Sequence, residues 1–302
     1  MTEGQLHQVI GVDIGGSSIK LGRYGSQGQC HQVLDVLTPQ PATPTNVLEA
    51  LVQAIIQVSP GEAPVKAIGV GLPGPVDVTG RISQIAINLR NWHDVPYAEW
   101  IEGQVNLPVI LANDANCAGL GEAWLGAGQG IQNLVMLTLG TGVGGAVILD
   151  GKLFTGHQGT GGELGLITLN PDGPDCNSGN NGSLEQYVSV RAIRRETGME
   201  PSELADKAHA GDQAAIEFWQ NYGKLLGAGL TSLIYILTPE AIILGGGISG
   251  AADLFLPATW AEIQRRVLAN CTNGLKLVTA ELGNRAGTAG AAKLALQTFQ
   301  LE

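Results

Sequence analysis

The residues of this chain best able to do chemistry are aspartates set beside turns and three clusters of glycine. Asp13 stands near the end of the apolar run Val9 to Ile14, directly before Gly15-Gly16 and Ser17-Ser18. A carboxylate at a strand end can hold Mg²⁺ through water, and a turn without side chains lets backbone N–H groups approach phosphate oxygens. Taken alone, the same segment is also an ordinary Gly-Gly hairpin. Gly140-Thr141-Gly142 follows the strand-like run Leu134 to Leu139, and Gly245-Gly246-Gly247 follows Ile242 to Leu244. Both suit close backbone approach to a ligand, and the second would lie at the carboxyl end of a sheet strand. The first is not a dinucleotide fingerprint, because a strand rather than a helix follows it. Asp114, in Asn113-Asp114-Ala115-Asn116, sits between a strand and the run Ala118 to Trp124. By itself it reads as a helix N-cap.

These residues need a framework of strands and helices. Val9 to Ile14 and Ser18 to Arg23 are two strands joined by the first glycine turn, and Leu134 to Leu139 with Ala146 to Leu149 repeat that pattern about 120 residues later. The recurrence predicts two related halves. Apolar residues at 47, 48, 51, 54, 55 and 58 mark a core-facing helix over Val47 to Val58. Val65 to Val70, Val109 to Leu111 and Ala241 to Leu244 read as buried strands. Ala214 to Leu237, Trp260 to Ala269 and Thr288 to Phe299 read as helices. Alternation of this kind predicts α/β layers. The expected domains are residues 1–112 with 288–302, and residues 113–287.

Composition narrows the partners. The chain has 302 residues, 44% hydrophobic and 14% charged, the profile of a well-packed globular protein. Its net charge of −11, with 16 Lys plus Arg, offers no basic stripe for nucleic acid or an anionic membrane. Small ligands are the expected partners. Cys30, Cys117, Cys176 and Cys271 lie far apart without a C-x-x-C pair, so no disulfide framework is signalled and a reducing cytoplasmic location is expected. No signal peptide or membrane span is expected, since glycines and threonines interrupt the longest apolar stretch, Leu134 to Leu149.

The order of the motifs, Asp-x-Gly-Gly first, Gly-Thr-Gly in the middle and Gly-Gly-Gly late, resembles the actin-like ATPase superfamily. More narrowly, the chain resembles the ROK family of sugar kinases and sugar-responsive repressors over essentially its whole length. Gly71-Leu-Pro-Gly-Pro75, Asn88-Leu89, Leu111-Ala-Asn-Asp-Ala-Asn116, Gly159-Thr-Gly-Gly-Glu163 and Leu244-Gly-Gly-Gly-Ile248 carry the resemblance. It implies an actin-like, ribonuclease H-like duplicated α/β fold with a cleft between its domains. It also implies ATP and Mg²⁺ as cofactors, with glucose the foremost hexose. Asp114 is then the catalytic base, and Gly74, Asn88, Asn113, Asp114, Glu163 and Glu185 contact the sugar. Asp13, Gly15, Gly16, Ser17, Ser18, Lys20, Gly140, Thr141, Gly142, Gly245, Gly246 and Gly247 form the nucleotide site, with Asp13 holding Mg²⁺ through water. Without the resemblance, the glutamates and Asn88 are equally solvated or turn residues. A homodimer or homotetramer is the implied assembly.

Other functions fit less well. A sugar-sensing repressor of this family carries a DNA-binding segment before its first motif, and only twelve residues precede Asp13 here. A polyphosphate-dependent kinase would need a positive track for its donor. Other hexoses, fructose among them, stay open, as does a non-catalytic sugar sensor. The structural zinc that the resemblance implies is not expected. The family's zinc histidine is Leu166 here, and the Cys-x-Cys-Gly-x-x-Gly-Cys-x-Glu segment reads Cys176-Asn-Ser178-Gly-Asn-Asn-Gly-Ser183-Leu-Glu185. One thiol cannot complete a tetrahedral zinc site. His157 lies outside the Gly-Glu register and reads as a loop residue. Trp92 is either a sugar-stacking wall or a core residue.

Overall fold

The computed structural model describes residues 7–61, 63–86 and 89–302. The first half runs β1 (Gln8–Ile14), β2 (Ser18–Gly25), β3 (Cys30–Leu37), α1 (Pro44–Val58), β4 (Val65–Leu72), β5 (Ser83–Ile85), β6 (His93–Val95), α2 (Tyr97–Val105), β7 (Val109–Asn113) and α3 (Asp114–Leu125). The second half runs β8 (Leu134–Leu139), β9 (Val143–Leu149), β10 (Lys152–Leu153), α4 (Glu185–Val188), α5 (Val190–Thr197), α6 (Pro201–His209), α7 (Gln213–Leu237), β11 (Ala241–Gly245), α8 (Ala252–Arg266), α9 (Ala269–Thr272), β12 (Lys276–Thr279) and α10 (Ala286–Thr298).

Two five-stranded sheets share one plan. The first has the order β3-β2-β1-β4-β7 and the second β10-β9-β8-β11-β12. In each, a hairpin pairs antiparallel across a glycine turn, β1 with β2 and β8 with β9. Two further strands then add in parallel, β4 and β7 in one sheet, β11 and β12 in the other. Parallel pairing requires helical crossovers, which cover both faces and leave the strands almost wholly apolar. β11 is accordingly buried at every residue.

Local chemistry starts the helices. Thr43 caps α1 by accepting from the Asn46 N–H at 3.3 Å, with Pro44 at the first helical position, and Val47, Leu51, Ala54, Ile55 and Val58 face the core. Asp212 caps α7 through the Ala215 N–H at 3.0 Å. α8 starts eight residues before the helix expected from the apolar pattern, and Pro257 lies within it. Pro257 is its sixth residue, so the helix runs on through a proline that lacks the N–H an α-helix would give to the Asp253 carbonyl, which is why the apolar pattern reads as starting only after it.

The chain forms two compact units, residues 1–130 with 152–162 and 284–302, and residues 131–151 with 163–283. The break expected at Asn113 lies inside the first unit. Its reason is packing: α3 meets α10 almost backbone to backbone. A side chain at Gly290 would overlap the carbonyl of Cys117, and one at Gly121 the carbonyl of Ala286. Glycines 11 and 69 let α10 lie equally close on β1 and β4, where added carbons would overlap the carbonyls of Thr288 and Ala291. Each unit has its own core, one built around β1, β4, α1 and α2, the other around β8, β11 and α7. Among the described residues, no helix is long and apolar enough to cross a membrane.

Candidate active site

In the first unit, the parallel strands β1, β4 and β7 end together, since Asp13 is in register with Gly71 and Leu72 with Asn113. The carboxyl ends of parallel strands are where open α/β sheets bind ligands. Asp13 is half-buried there against the start of α10, where a carbon added to Gly287 would meet its Cγ at 2.8 Å. Burial raises its pKa, Lys20 opposite it on β2 pulls the value back, and Asp35 adds to the rise. The Gly15 N–H closes the turn on the Ser18 carbonyl at 2.9 Å, and Thr38 braces it by donating from Oγ1 to the Gly15 carbonyl at 2.7 Å. Gly16 and Ser17 remain exposed, and Ser18 and Lys20 are half-buried on β2.

The β7–α3 junction separates the two residues of the Asn-Asp pair. Asn113, not Asp114, is the N-cap: its Oδ1 accepts from the N–H groups of Ala115 at 2.9 Å and Asn116 at 3.2 Å. Its Nδ2 donates to the Gly74 carbonyl at 3.2 Å. Gly74 adopts φ +91° with the Ile85 carbonyl pressed against it, so only glycine fits that turn. Asn113 therefore ties the 71–75 loop to the helix start. Asp114 becomes the first helical residue, exposed, with Oδ1 accepting from the Ala115 N–H at 2.8 Å. The cap reading of Asp114 fails because the neighbouring amide performs that task. Cys117, one turn on, is fully buried. Burial pushes its thiol well up, and the carboxylates of Asp13 and Asp114 push it further. The structure thus brings Asp13, Asn113, Asp114 and Gly74 to one end of one sheet.

In the second unit, the turns after β8 and β11 lie side by side, because those strands are parallel with Gly245 in register with Thr138. Gly246 has φ +84° and rests against the Leu139 backbone, whereas a side chain on exposed Gly247 would meet open space. Exposed Thr141 heads the first turn, which the Gly140 N–H closes on the Gly142 carbonyl at 2.9 Å. Glu185 holds this turn: its Oε2 accepts from the Val143 N–H at 2.9 Å, and its carboxylate occupies the space a side chain on Gly142 would need. The Val190 N–H at the start of α5 donates to the Gly140 carbonyl at 2.8 Å, fixing the turn from its other side. Partial burial raises the pKa of Glu163, and the Glu185 carboxylate adds to the rise. Two carboxylates that repel one another suit a ligand that donates hydroxyl hydrogens to both.

The loop between those glutamates is braced by amides. Asn180 donates from Nδ2 to the Leu166 carbonyl and to Thr168 Oγ1, both at 3.0 Å, and Thr168 donates back to Asn180 Oδ1 at 3.2 Å. Asn181 donates to Asp175 at 2.9 Å, and the Cys176 N–H to the Asn180 carbonyl at 2.8 Å. Ser178 Oγ donates to Cys176 Sγ at 3.3 Å. Burial raises the Cys176 thiol, but the hydrogen bonds from Ser178 and Ser183 together outweigh it and leave the thiol below its usual pKa. The donor set does not fit structural zinc. The position of the implied histidine is Leu166, and among the described residues no three His, Cys, Asp or Glu side chains converge as a metal group.

The remaining expected residues divide clearly. Asn88 lies outside the described residues. Trp92 is a core residue, 3% exposed, with Nε1 donating to the Ala42 carbonyl at 3.0 Å. His157 is exposed on its loop. Sequence reasoning missed a cavity of about 240 Å³ beside Gly247, lined by Ser202, Asp206 and His209. It missed also the pairing of His209 Nε2 with Asp253 Oδ2 at 2.7 Å. No motif marks these residues, since they come from α6 and α8 and meet only through the fold.

The family model described as the ROK family matches residues 9–298. The glucokinase of Thermotoga maritima is 32% identical over 308 residues, covering 95% of this chain and 96% of that protein. The crystal structure of a ROK family glucokinase from Streptomyces griseus in complex with glucose and AMPPNP superimposes with a TM-score of 0.80 at 34% identity, over 96% of this chain and 99% of that one. The ROK hexokinase from Thermus thermophilus gives a TM-score of 0.87 at 33% identity, over 98% and 100%. The fold is the duplicated actin-like α/β fold of those enzymes.

Proposed function

The chain belongs to the ROK family, and from that premise we propose that it transfers the γ-phosphate of ATP to a hexose hydroxyl, with glucose as the foremost acceptor and glucose 6-phosphate as the product. One observation carries the reading: Asn113 takes over the helix cap and leaves Asp114 exposed on the first turn of α3. Asp114 takes the proton of the attacking hydroxyl as the sugar oxygen bonds to the γ-phosphorus and the bond to the ADP oxygen breaks. Glu163 and Glu185 accept hydrogen bonds from other hydroxyls of the sugar, and Gly74 and Asn113 fix the loop that borders it. Asn88 is assigned to the same sugar on the family motif alone.

The glycine turns at 140–142 and 245–247 receive the nucleotide phosphates on their backbones. The base fits the cavity beside Gly247, where Ser202 and Asp206 offer polar partners. Bound Mg²⁺ neutralises the charge that develops on the transferring phosphoryl group. Asp13 fits it through water, because a single carboxylate at a strand end together with the phosphates is an ordinary Mg²⁺ environment. A coupled assay crossing glucose, fructose and mannose with ATP and polyphosphate tests the reading. ADP release dependent on a hexose supports it. Turnover confined to polyphosphate, or none with any pair, overturns it.

A further inference from the structure

The two glutamates assigned to the sugar are tied to one residue beside the nucleotide turn, and all of them lie within the second compact unit. Val143 directly follows Gly140-Thr141-Gly142. Its N–H donates to Glu185 Oε2 at 2.9 Å. Its carbonyl lies against Gly165, two residues past Glu163, so closely that a side chain on Gly165 would overlap it. The Glu185 carboxylate also fills the space beside Gly142, the last glycine of the turn.

This arrangement opposes phosphate binding. A glycine turn draws phosphate through its backbone N–H groups, and a neighbouring carboxylate repels it. Here the N–H that follows the turn, that of Val143, is already spent on Glu185. Neither glutamate has an ion-pair partner among the described residues. The two charges reach one another: burial raises the pKa of Glu163, and the Glu185 carboxylate adds to the rise. The same field acts on phosphate oxygens brought to Gly140–Gly142. Sugar hydroxyls weaken it, because each donates a hydrogen to a carboxylate and takes up part of its negative charge.

We infer that Glu185 and Glu163 form an electrostatic gate on nucleotide binding: without sugar they repel phosphates from the 140–142 turn, and hexose bound to them lifts the repulsion. Sugar and nucleotide therefore tighten one another's binding by the same factor. The inference rests on the phosphoryl-transfer reading, which supplies the two ligands, and adds a control that keeps ATP from the turn until an acceptor is present.

Calorimetric titration of the full chain with Mg²⁺-AMPPNP tests it, run without hexose and with a saturating amount of the hexose that the coupled assay turns over. Binding of that hexose alone is measured on the same preparation. Glu185→Gln is the diagnostic variant, since glutamine keeps an oxygen for the Val143 N–H and loses the charge. In the wild type, hexose should tighten nucleotide binding about fivefold or more. In Glu185→Gln, nucleotide binding without hexose should tighten about threefold or more, the worth of one nearby charge in a solvated site, and added hexose should then gain less. A side chain that merely braces the turn gives unchanged or weaker nucleotide binding in the variant, and that result overturns the inference. So does a wild type whose nucleotide affinity ignores a hexose that it binds and phosphorylates. Absence of hexose binding overturns the phosphoryl-transfer reading itself, and the inference with it. Should Glu185→Gln fail to fold, Glu163→Gln, at an exposed position, decides by the same comparison without hexose.

Discussion

Replacing Gly142 with alanine separates what the glycine turn does from what Glu185 does. Gly142 does not have a positive φ, so its backbone admits a side chain; what excludes one is the Glu185 carboxylate. A carbon there would overlap Oε2 and stand 3.1 Å from Cδ. The carboxylate is the free end of a flexible side chain and is what yields, losing the 2.9 Å bond from the Val143 N–H. The displaced carboxylate also no longer accepts from a sugar hydroxyl, and a hydrogen bond to a charged group contributes about 1.5–3 kcal/mol. At 1.4 kcal/mol per factor of ten, kcat/KM for the hexose falls about ten- to a hundredfold. Glu185 is half-buried and recovers water when displaced, so stability falls by only about 1 kcal/mol, or roughly 2–4 °C in Tm. The assay is sugar-dependent ADP release at saturating ATP, run on Gly142→Ala, Glu185→Ala and the double variant. In the Glu185→Ala background the second change should cost little, since nothing is left to displace. An equal loss in both backgrounds would refute the reasoning and assign the effect to the turn backbone. Gly246→Ala is the control, because it collides with the Leu139 backbone whether or not Glu185 is present.

Other outcomes follow from the charges and the amide brace. The folded-state pKa of Glu163 lies above its unfolded value, so its ionisation costs stability at neutral pH, and the cost fades as pH falls through the raised value toward 4.5. Glu163→Gln should therefore raise Tm at pH 7, with the gain vanishing in acid, while weakening sugar binding; a gain independent of pH contradicts the assignment. Asn180→Ala removes the bonds to Leu166 and Thr168 and should cost about 1–3 kcal/mol, measured by denaturant unfolding. Elemental analysis of the same protein should find no stoichiometric zinc. Zinc at one per chain, with activity lost to chelation and restored by zinc, contradicts the amide brace.

The sequence displayed the parts of the fold with strong local signatures. The two hairpins stood out because an apolar run, a glycine turn and a second apolar run recur in β1–β2 and β8–β9. α1 and α7 stood out because their apolar spacing is regular, although α1 was read from Val47 and begins at Pro44 after the Thr43 cap. The start of α8 was hidden by Pro257. The unit boundary was hidden because what holds α3 to α10 is the absence of side chains at Gly121 and Gly290, and close backbone approach has no periodic signature.

At the site, motif order located the glycine turns and the Asn-Asp pair, but the division of labour within that pair was not legible. Asn and Asp cap helices about equally well, and only the backbone geometry at β7 decides which residue is half in the helix. Nor did the sequence reveal that Glu185 would grip the Val143 N–H 42 positions earlier, or that Asn180 would stand where a metal would brace the loop. Those are long-range contacts of single polar atoms. The cavity at Gly247 is of the same kind, assembled from segments far apart in the chain.

The central claim is that Asp114 accepts the proton of the attacking hydroxyl, and Asp114→Asn tests it most directly. Asparagine keeps the Oδ1 that accepts from the Ala115 N–H, so the helix start is preserved and only the basicity is lost. With hexose and Mg-ATP, kcat should fall about a hundredfold or more, the scale of general-base catalysis, while hexose affinity measured by titration stays close to that of the wild type. Near-normal turnover in the variant would contradict the account.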